Sequence, residues 1–157
     1  MSFSIVTTKE RPDLAQTTGT WRWNAFFSDT DVSLAQVIEI DTDCAAQQDM
    51  MPTVWVLLDG ETPVGMITLC LDDLEDRPEL NPWLAGLYVD PAYRGRGLAL
   101  QLIAHLETIA KNAGVERLSL YTDGSVGLYS KAGWNITETF DDNGVLYSIM
   151  QKQLAPA

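Results

Sequence analysis

A strand–loop–helix run at residues 83–113 is set between two tight-turn signals, and this arrangement most restricts the fold. Upstream, Thr53–Leu58 and Pro63–Leu71 are β-rich runs joined by Asp59-Gly60-Glu61-Thr62. Downstream, Trp134–Phe140 and Val145–Gln151 are joined by Asp141-Asp142-Asn143-Gly144. Asp-Gly and Asn-Gly readily adopt the positive-φ conformations of hairpin turns, so each pair of strands is antiparallel. Between the hairpins, Trp83–Val89 (WLAGLYV) reads as a strand ended by Asp90-Pro91. Gly97–Ala113 reads as a long helix, with an apolar stripe of Ala99, Leu102, Ile103, Leu106, Ile109, Ala110 and Ala113. Gly114 stands where a C-terminal cap belongs. Val115–Thr122 then returns as a strand, and a helical crossover of this kind permits a parallel neighbour.

The flanks complete the pattern. Phe3–Thr8 is a short strand. Pro12 opens a helical stretch to about Ser28, with Leu14, Thr18, Trp21 and Ala25 on one face and Gly19 interrupting it. Asp31–Cys44 predicts a second helix whose stripe is Leu34, Val37, Ile38 and Asp41; the polar Asp41 suggests fraying there. Ser125–Ala132 is a short helix closed by Gly133. The order β-α-α-β-β-β-α-β-α-β-β predicts an α/β protein with a mixed, mainly antiparallel central sheet flanked by helices. At 157 residues the expectation is one domain, over residues 3–154.

Charge narrows the partners. Asp and Glu number 22 against 10 Lys and Arg, a net charge of −12. Such a field repels phosphate backbones and anionic lipids, so neither nucleic acid nor membrane is expected as a partner, and cationic partners are favoured. No apolar run is long enough to span a bilayer, and MSFSIVTTKERPD lacks the basic start and apolar stretch of a signal peptide. The expected location is cytoplasmic. Cys44 and Cys70 lack metal-ligand spacing. The lone His105 shares a polar helix face with Gln101, Thr108 and Asn112, which predicts a solvated ring and no metal site.

Tyr93-Arg94-Gly95-Arg96-Gly97-Leu98-Ala99 carries the chemistry. Glycines let a ligand approach the backbone, a helix start offers unpaired N–H groups, and Arg94 and Arg96 add two of the ten cations. The reading is a phosphate or pyrophosphate site. A helix entry without a ligand is one alternative. A dinucleotide site is another, but the third glycine of its fingerprint would fall on Leu100.

Arg94-x-x-Gly97-x-Ala99, after a strand and opening a helix, resembles the acyl-CoA pyrophosphate loop of the GNAT superfamily of N-acyltransferases. Leu128-Tyr129-Ser130-Lys131-Ala132-Gly133-Trp134 is similar to that family's second signature, LYxKxGF. The resemblance covers about Phe3 to Leu154. It implies an acetyl-CoA-dependent N-acetyltransferase whose amine acceptor attacks the thioester directly, acetyl-CoA being a cosubstrate and no metal being needed. Leu87, Tyr88 and Val89 would offer the backbone edge that binds pantetheine. The amides of Arg94, Gly95, Arg96, Gly97, Leu98 and Ala99 would hold the diphosphate. Tyr129 would protonate the leaving thiolate, and an N–H from Leu87–Val89 would polarise the carbonyl.

Three departures from the family pattern matter. Many members place a glutamate on the strand before the loop, and Trp83–Val89 has no carboxylate; the base would then come from the Asp72–Glu79 loop, with Glu79 nearest in sequence, or the amine would lose its proton to solvent. Thr122 stands where asparagine is frequent, and Ser125 where alanine is common. The acceptor is expected to be a small-molecule or peptide amine. Trp21, Trp23, Phe26 and Phe27, with Asp72, Asp73, Glu75, Asp76 and Glu79, would suit a cationic, partly apolar one. A catalytically silent acyl-CoA-binding or interaction module is the alternative that the missing carboxylate favours. Exposed edges and several Trp residues are compatible with a homodimer, though no segment locates an interface.

Overall fold

The computed structural model describes residues 2–155. Its seven strands are β1 (Phe3–Thr7), β2 (Thr53–Asp59), β3 (Thr62–Cys70), β4 (Trp83–Val89), β5 (Arg117–Thr122), β6 (Asn135–Asp142) and β7 (Val145–Gln153). They form one mixed sheet in the order β1-β2-β3-β4-β5-β7-β6. Every neighbouring pair is antiparallel except β4 with β5. Both hairpins are where the turn signals put them. Asp59 faces Thr62 across Gly60-Glu61, and Asp142 faces Val145 across Asn143-Gly144. The doubly wound parallel sheet that a dinucleotide fold requires is absent from the described residues, which removes that alternative.

Cross-strand register sorts the side chains onto two faces. On one face, Trp55, Leu57, Ile67, Leu69, Leu84 and Leu118 meet the stripe of helix α3 (Leu98–Asn112), with Leu102, Ile103, Leu106 and Ala110 fully buried. Helix α4 (Val126–Lys131) joins this side through Tyr129. His105 is half-buried at the edge of the Trp55 ring, 6.1 Å between centroids, where burial lowers its pKa; the expectation of a solvated histidine is corrected. The α3 helix wraps closely enough over the sheet for its flank to find an aromatic partner.

The other face carries Val54, Val56, Leu58 and Met66 beneath helices α1 (Ala15–Arg22) and α2 (Leu34–Ala46). Ser33 and Gln36 form a reciprocal capping box at the start of α2. Between α1 and α2, Trp23–Phe27 is wound as a π-helix, so the stripe through Leu14 and Thr18 loses phase and Ala25 is exposed. Gly19 has a packing reason: a Cβ there would lie 2.7 Å from the Ile38 Cα on the crossing helix. Gly19→Ala gains helix propensity but must push α2 away, and a net loss of about 1–3 kcal/mol is expected in urea unfolding. Unchanged stability would mean that α2 shifts freely.

Candidate active site

The site begins where β4 and β5 part. Their ladder consists of one Cα pair, Trp83 with Ser119, beside the bond from Ser119 N–H to the Pro82 carbonyl at 3.1 Å. Beyond Trp83, the β5-facing edge of β4 has no strand partner among the described residues, so residues 85–88 are only half-buried in mid-sheet. On its β3 side the register slips between Met66 and Thr68. Opposite that slip stands Gly86 at φ +54°. The strand bulges where its backbone groups are most accessible.

The loop after β4 is tied down by its side chains. Asp90 caps the turn by accepting from Ala92 N–H at 2.9 Å, and the Tyr93 hydroxyl donates to Asp59 Oδ2 at 2.8 Å. Arg94 Nε donates to the Val89 carbonyl at 2.8 Å and its guanidinium lies over the Tyr88 ring; Arg96 lies over Tyr93, 4.9 Å from the ring centre. Gly95 and Gly97 have φ of +81° and +75°, and a Cβ at either would meet nothing within 4 Å. Glycine is therefore needed for backbone shape, and the space above it is open. Gly97 is the N-cap of α3, with no side-chain cap and no acid in the first turn. The first helical bond is Gln101 N–H to the Gly97 carbonyl, so the amides of Leu98, Ala99 and Leu100 have no helical acceptor. In a chain of charge −12, this end keeps its positive field unneutralised.

Tyr129 is 7% exposed on α4, with its ring edge-on to Trp134 at 6.1 Å. Its carbonyl accepts from the N–H groups of Ala132 and Trp134, and Gly133 at φ +92° closes the turn. Burial pushes the Tyr129 pKa up to about 12. The phenol is therefore neutral at physiological pH and holds a proton to give. The Thr122 hydroxyl accepts from Ser125 N–H at 3.1 Å, so both unusual residues serve the turn into α4.

Opposite the splay, on the α1–α2 face, lies a charged group that periodicity did not reveal. Arg22 Nε pairs with Asp41 Oδ1 at 2.9 Å, and Arg22 Nη2 donates to Thr68 Oγ1 at 2.9 Å. Arg22 Nη1 occupies the space a side chain on Gly86 would need. Asp41 is 2% exposed and sits mid-helix, so fraying at this residue is corrected: the carboxylate is buried because a cation meets it. Glu79 is bound by Arg77 Nε at 2.7 Å, which holds its carboxyl below the usual range and makes it a poor base. Asp73 in the same loop is the opposite case, raised to about 6 by desolvation although Arg22 opposes the shift. Of the aromatics on the first helices, Trp21 packs on Tyr88 at 5.2 Å, Trp23 donates to the Val32 carbonyl, and Phe26 faces solvent.

Residues 16–134 match the model of the Acetyltransferase (GNAT) family. The chain belongs to the GNAT family. An uncharacterized N-acetyltransferase of Bacillus subtilis strain 168, YdgE, is 29% identical over 126 residues, covering 77% of this chain and 76% of that protein. Among solved structures, yncA of Salmonella typhimurium, determined with its cofactor acetyl-CoA, superposes with a TM-score of 0.76 at 19% identity, over 100% of this chain and 96% of that one. An aminoglycoside 6'-N-acetyltransferase complexed with coenzyme A gives 0.76 at 15% identity, over 100% and 99%.

Within this GNAT fold, the edge of β4 at Leu87, Tyr88 and Val89 has no strand partner on the β5 side and runs into the Arg94–Ala99 turn, where Arg94 holds the Val89 carbonyl. Tyr129 belongs to the core on the α3 face of the sheet, against Trp134. Arg22, Tyr121, Phe140 and Tyr147 were not singled out from the sequence, and Asp41 was read only as a frayed helix position. For Asp41 a signal existed: an acid on a buried stripe needs a cation, and Arg22 between two tryptophans was available. No group of three or more metal-ligating side chains occurs among the described residues.

Proposed function

We propose that residues 3–154 form an acetyl-CoA-dependent N-acetyltransferase that moves an acetyl group to a primary amine by direct attack on the thioester. The observation that carries this reading is the β4–β5 gap opening onto the uncapped start of α3. A pantetheine arm would pair with the β4 edge at Leu87–Val89, and a diphosphate would lie on the amides of Arg94–Ala99. The positive φ values and open space at Gly95 and Gly97 fit that group. The amine lone pair forms the N–C bond, the C–S bond breaks with its pair on sulfur, and Tyr129 supplies the thiol proton. A β4 amide at the bulge would polarise the carbonyl. The acceptor is a cationic small molecule, in keeping with the net charge of −12.

Calorimetric titration with acetyl-CoA, with NADH as control, tests the cosubstrate. Saturable binding is expected for acetyl-CoA and none for NADH. Arg94→Ala with Arg96→Ala should weaken it about tenfold or more, through lost charge and a loosened Val89 tether. Absent binding would reduce the turn to a helix entry. The missing β4 carboxylate favours a second reading, a silent acyl-CoA-binding module, for which binding without turnover on an amine panel would count.

A further inference from the structure

We propose that Asp73 is the carboxylate that holds the acceptor's ammonium group and takes its proton, and that Tyr121, Phe140 and Tyr147 form the wall for the acceptor's apolar body. The acceptor class is then a primary alkylammonium or arylalkylammonium compound. This rests on the acetyl-transfer reading above.

Three observations converge on this place. First, β4 lacks a carboxylate and Glu79 is committed to Arg77, so the proton of an arriving ammonium needs another acceptor. Second, Asp73 makes no hydrogen bond or ion pair among the described residues, although it is only partly exposed. It follows Cys70, whose cross-strand partner is Trp83, at the point where β4 and β5 are last paired. Third, register places Cys70, Trp83 and Tyr121 on the face bearing Arg22 and Thr68. There α1 ends, at Arg22, and aromatic rings take over. Phe140 and Tyr147 stack at 5.1 Å, and Tyr121 lies 5.6 Å from Tyr147 and 5.9 Å from Phe140. Asp73 is within electrostatic reach of Arg22 from α1, Cys70 from β3 and Tyr121 from β5. Tyr121 in turn senses Tyr147 and Asp142. Arg22 is already paired with Asp41, so this part of the sheet face presents a surplus negative charge beside π faces, the surroundings an organic ammonium ion favours.

The protons balance. Asp73 takes one from the ammonium, freeing the lone pair that forms the N–C bond. The C–S bond breaks with its electrons on sulfur, which receives the Tyr129 proton. The second nitrogen proton restores Tyr129, and Asp73 releases its own to solvent, for one proton per turnover.

The test is the pH profile of kcat/KM with phenethylamine and n-hexylamine, for the wild type, Asp73→Asn and Asp73→Glu, with acetyl-CoA affinity measured alongside. If Asp73 accepts the proton, the ammonium is the productive form. The wild-type rate should rise through pH about 6 as Asp73 ionises, then level off. Asp73→Asn should lose about 100-fold at pH 7 and climb roughly tenfold per pH unit toward the amine's own pKa near 10, because only free amine then reacts. Asp73→Glu should recover part of the plateau. Acetyl-CoA affinity should not change, which separates this proposal from the cosubstrate reading. A second readout needs no turnover. Burial disfavours ionised Asp73, so Asp73→Asn should raise the melting temperature at pH 8 and leave it unchanged at pH 4. A wild-type profile in Asp73→Asn, or no turnover of either amine by protein that binds acetyl-CoA, would overturn the assignment.

Discussion

Tyr129→Phe is expected to lower kcat by about 100-fold while leaving acetyl-CoA affinity within about twofold. The substitution removes one oxygen and little else. The ring keeps its volume and its edge contact with Trp134, and the backbone carbonyl that caps α4 is untouched. Burial is the one cause of the raised Tyr129 pKa, with no neighbouring charge or hydrogen bond contributing, so no partner is left unsatisfied when the hydroxyl goes. What is lost is a proton that burial holds at a pKa of about 12. In the proposed acid role, a phenol this weak gives its proton only as the leaving sulfur gains charge. The transfer is therefore timed to C–S cleavage. Because the shift is upward, the acidic form persists as pH rises, and no basic limb from Tyr129 should appear below pH 10. Steady-state kinetics and calorimetry on the same preparation check both halves. An unimpaired kcat would remove Tyr129 from the acid role.

The strands, both hairpins and the helix at 98–112 were legible because each is announced locally: alternation, Asp-Gly and Asn-Gly turns, and an unbroken 3.6-residue stripe. The two segments proposed to serve the cosubstrate, Arg94–Ala99 and Leu128–Trp134, could be read for the same reason, since each is contiguous. The charged group on the α1–α2 face could not be read. The Arg22–Asp41 pair spans 19 residues and the Arg22–Thr68 bond 46, and no periodicity records a partner at that range. An acid on an apolar stripe looks like a frayed end until its cation is known. The π-helical turn at 23–27 rotated the aromatics away from their expected face. Glu79 and Asp73 are equivalent in a list of loop acids; Arg77 beside one and burial around the other make them opposites. The β4–β5 gap leaves no local mark, being a place where hydrogen bonds are not made; only the family resemblance implied a free edge at Leu87–Val89.

Asp41→Ala is expected to cost about 3–5 kcal/mol in urea unfolding, the usual result of stripping one partner from a buried ion pair. The Arg22 side chain is 13% exposed and Asp41 2%, so neither charge has water to fall back on. Asp41 Oδ2 is buried without a partner, which means that the pair already carries a desolvation cost and depends on its one good bond. Without Asp41, the guanidinium keeps Thr68 Oγ1 and the attraction of Asp73. That attraction favours ionised Asp73 and opposes the burial that raises its pKa. If Arg22 swings toward Asp73, the acid limb of the rate profile should move below pH 6, and Gly86, against which Nη1 now rests, should lose its support. Arg22→Met with Asp41→Leu separates the two roles. It removes both charges while keeping volume, and should recover most of the stability but not the activity, because the bulge of β4 then faces hydrocarbon. A loss under about 1 kcal/mol for Asp41→Ala, or full activity in the apolar pair, would show that Arg22 is solvated in place and that the bulge stands without it.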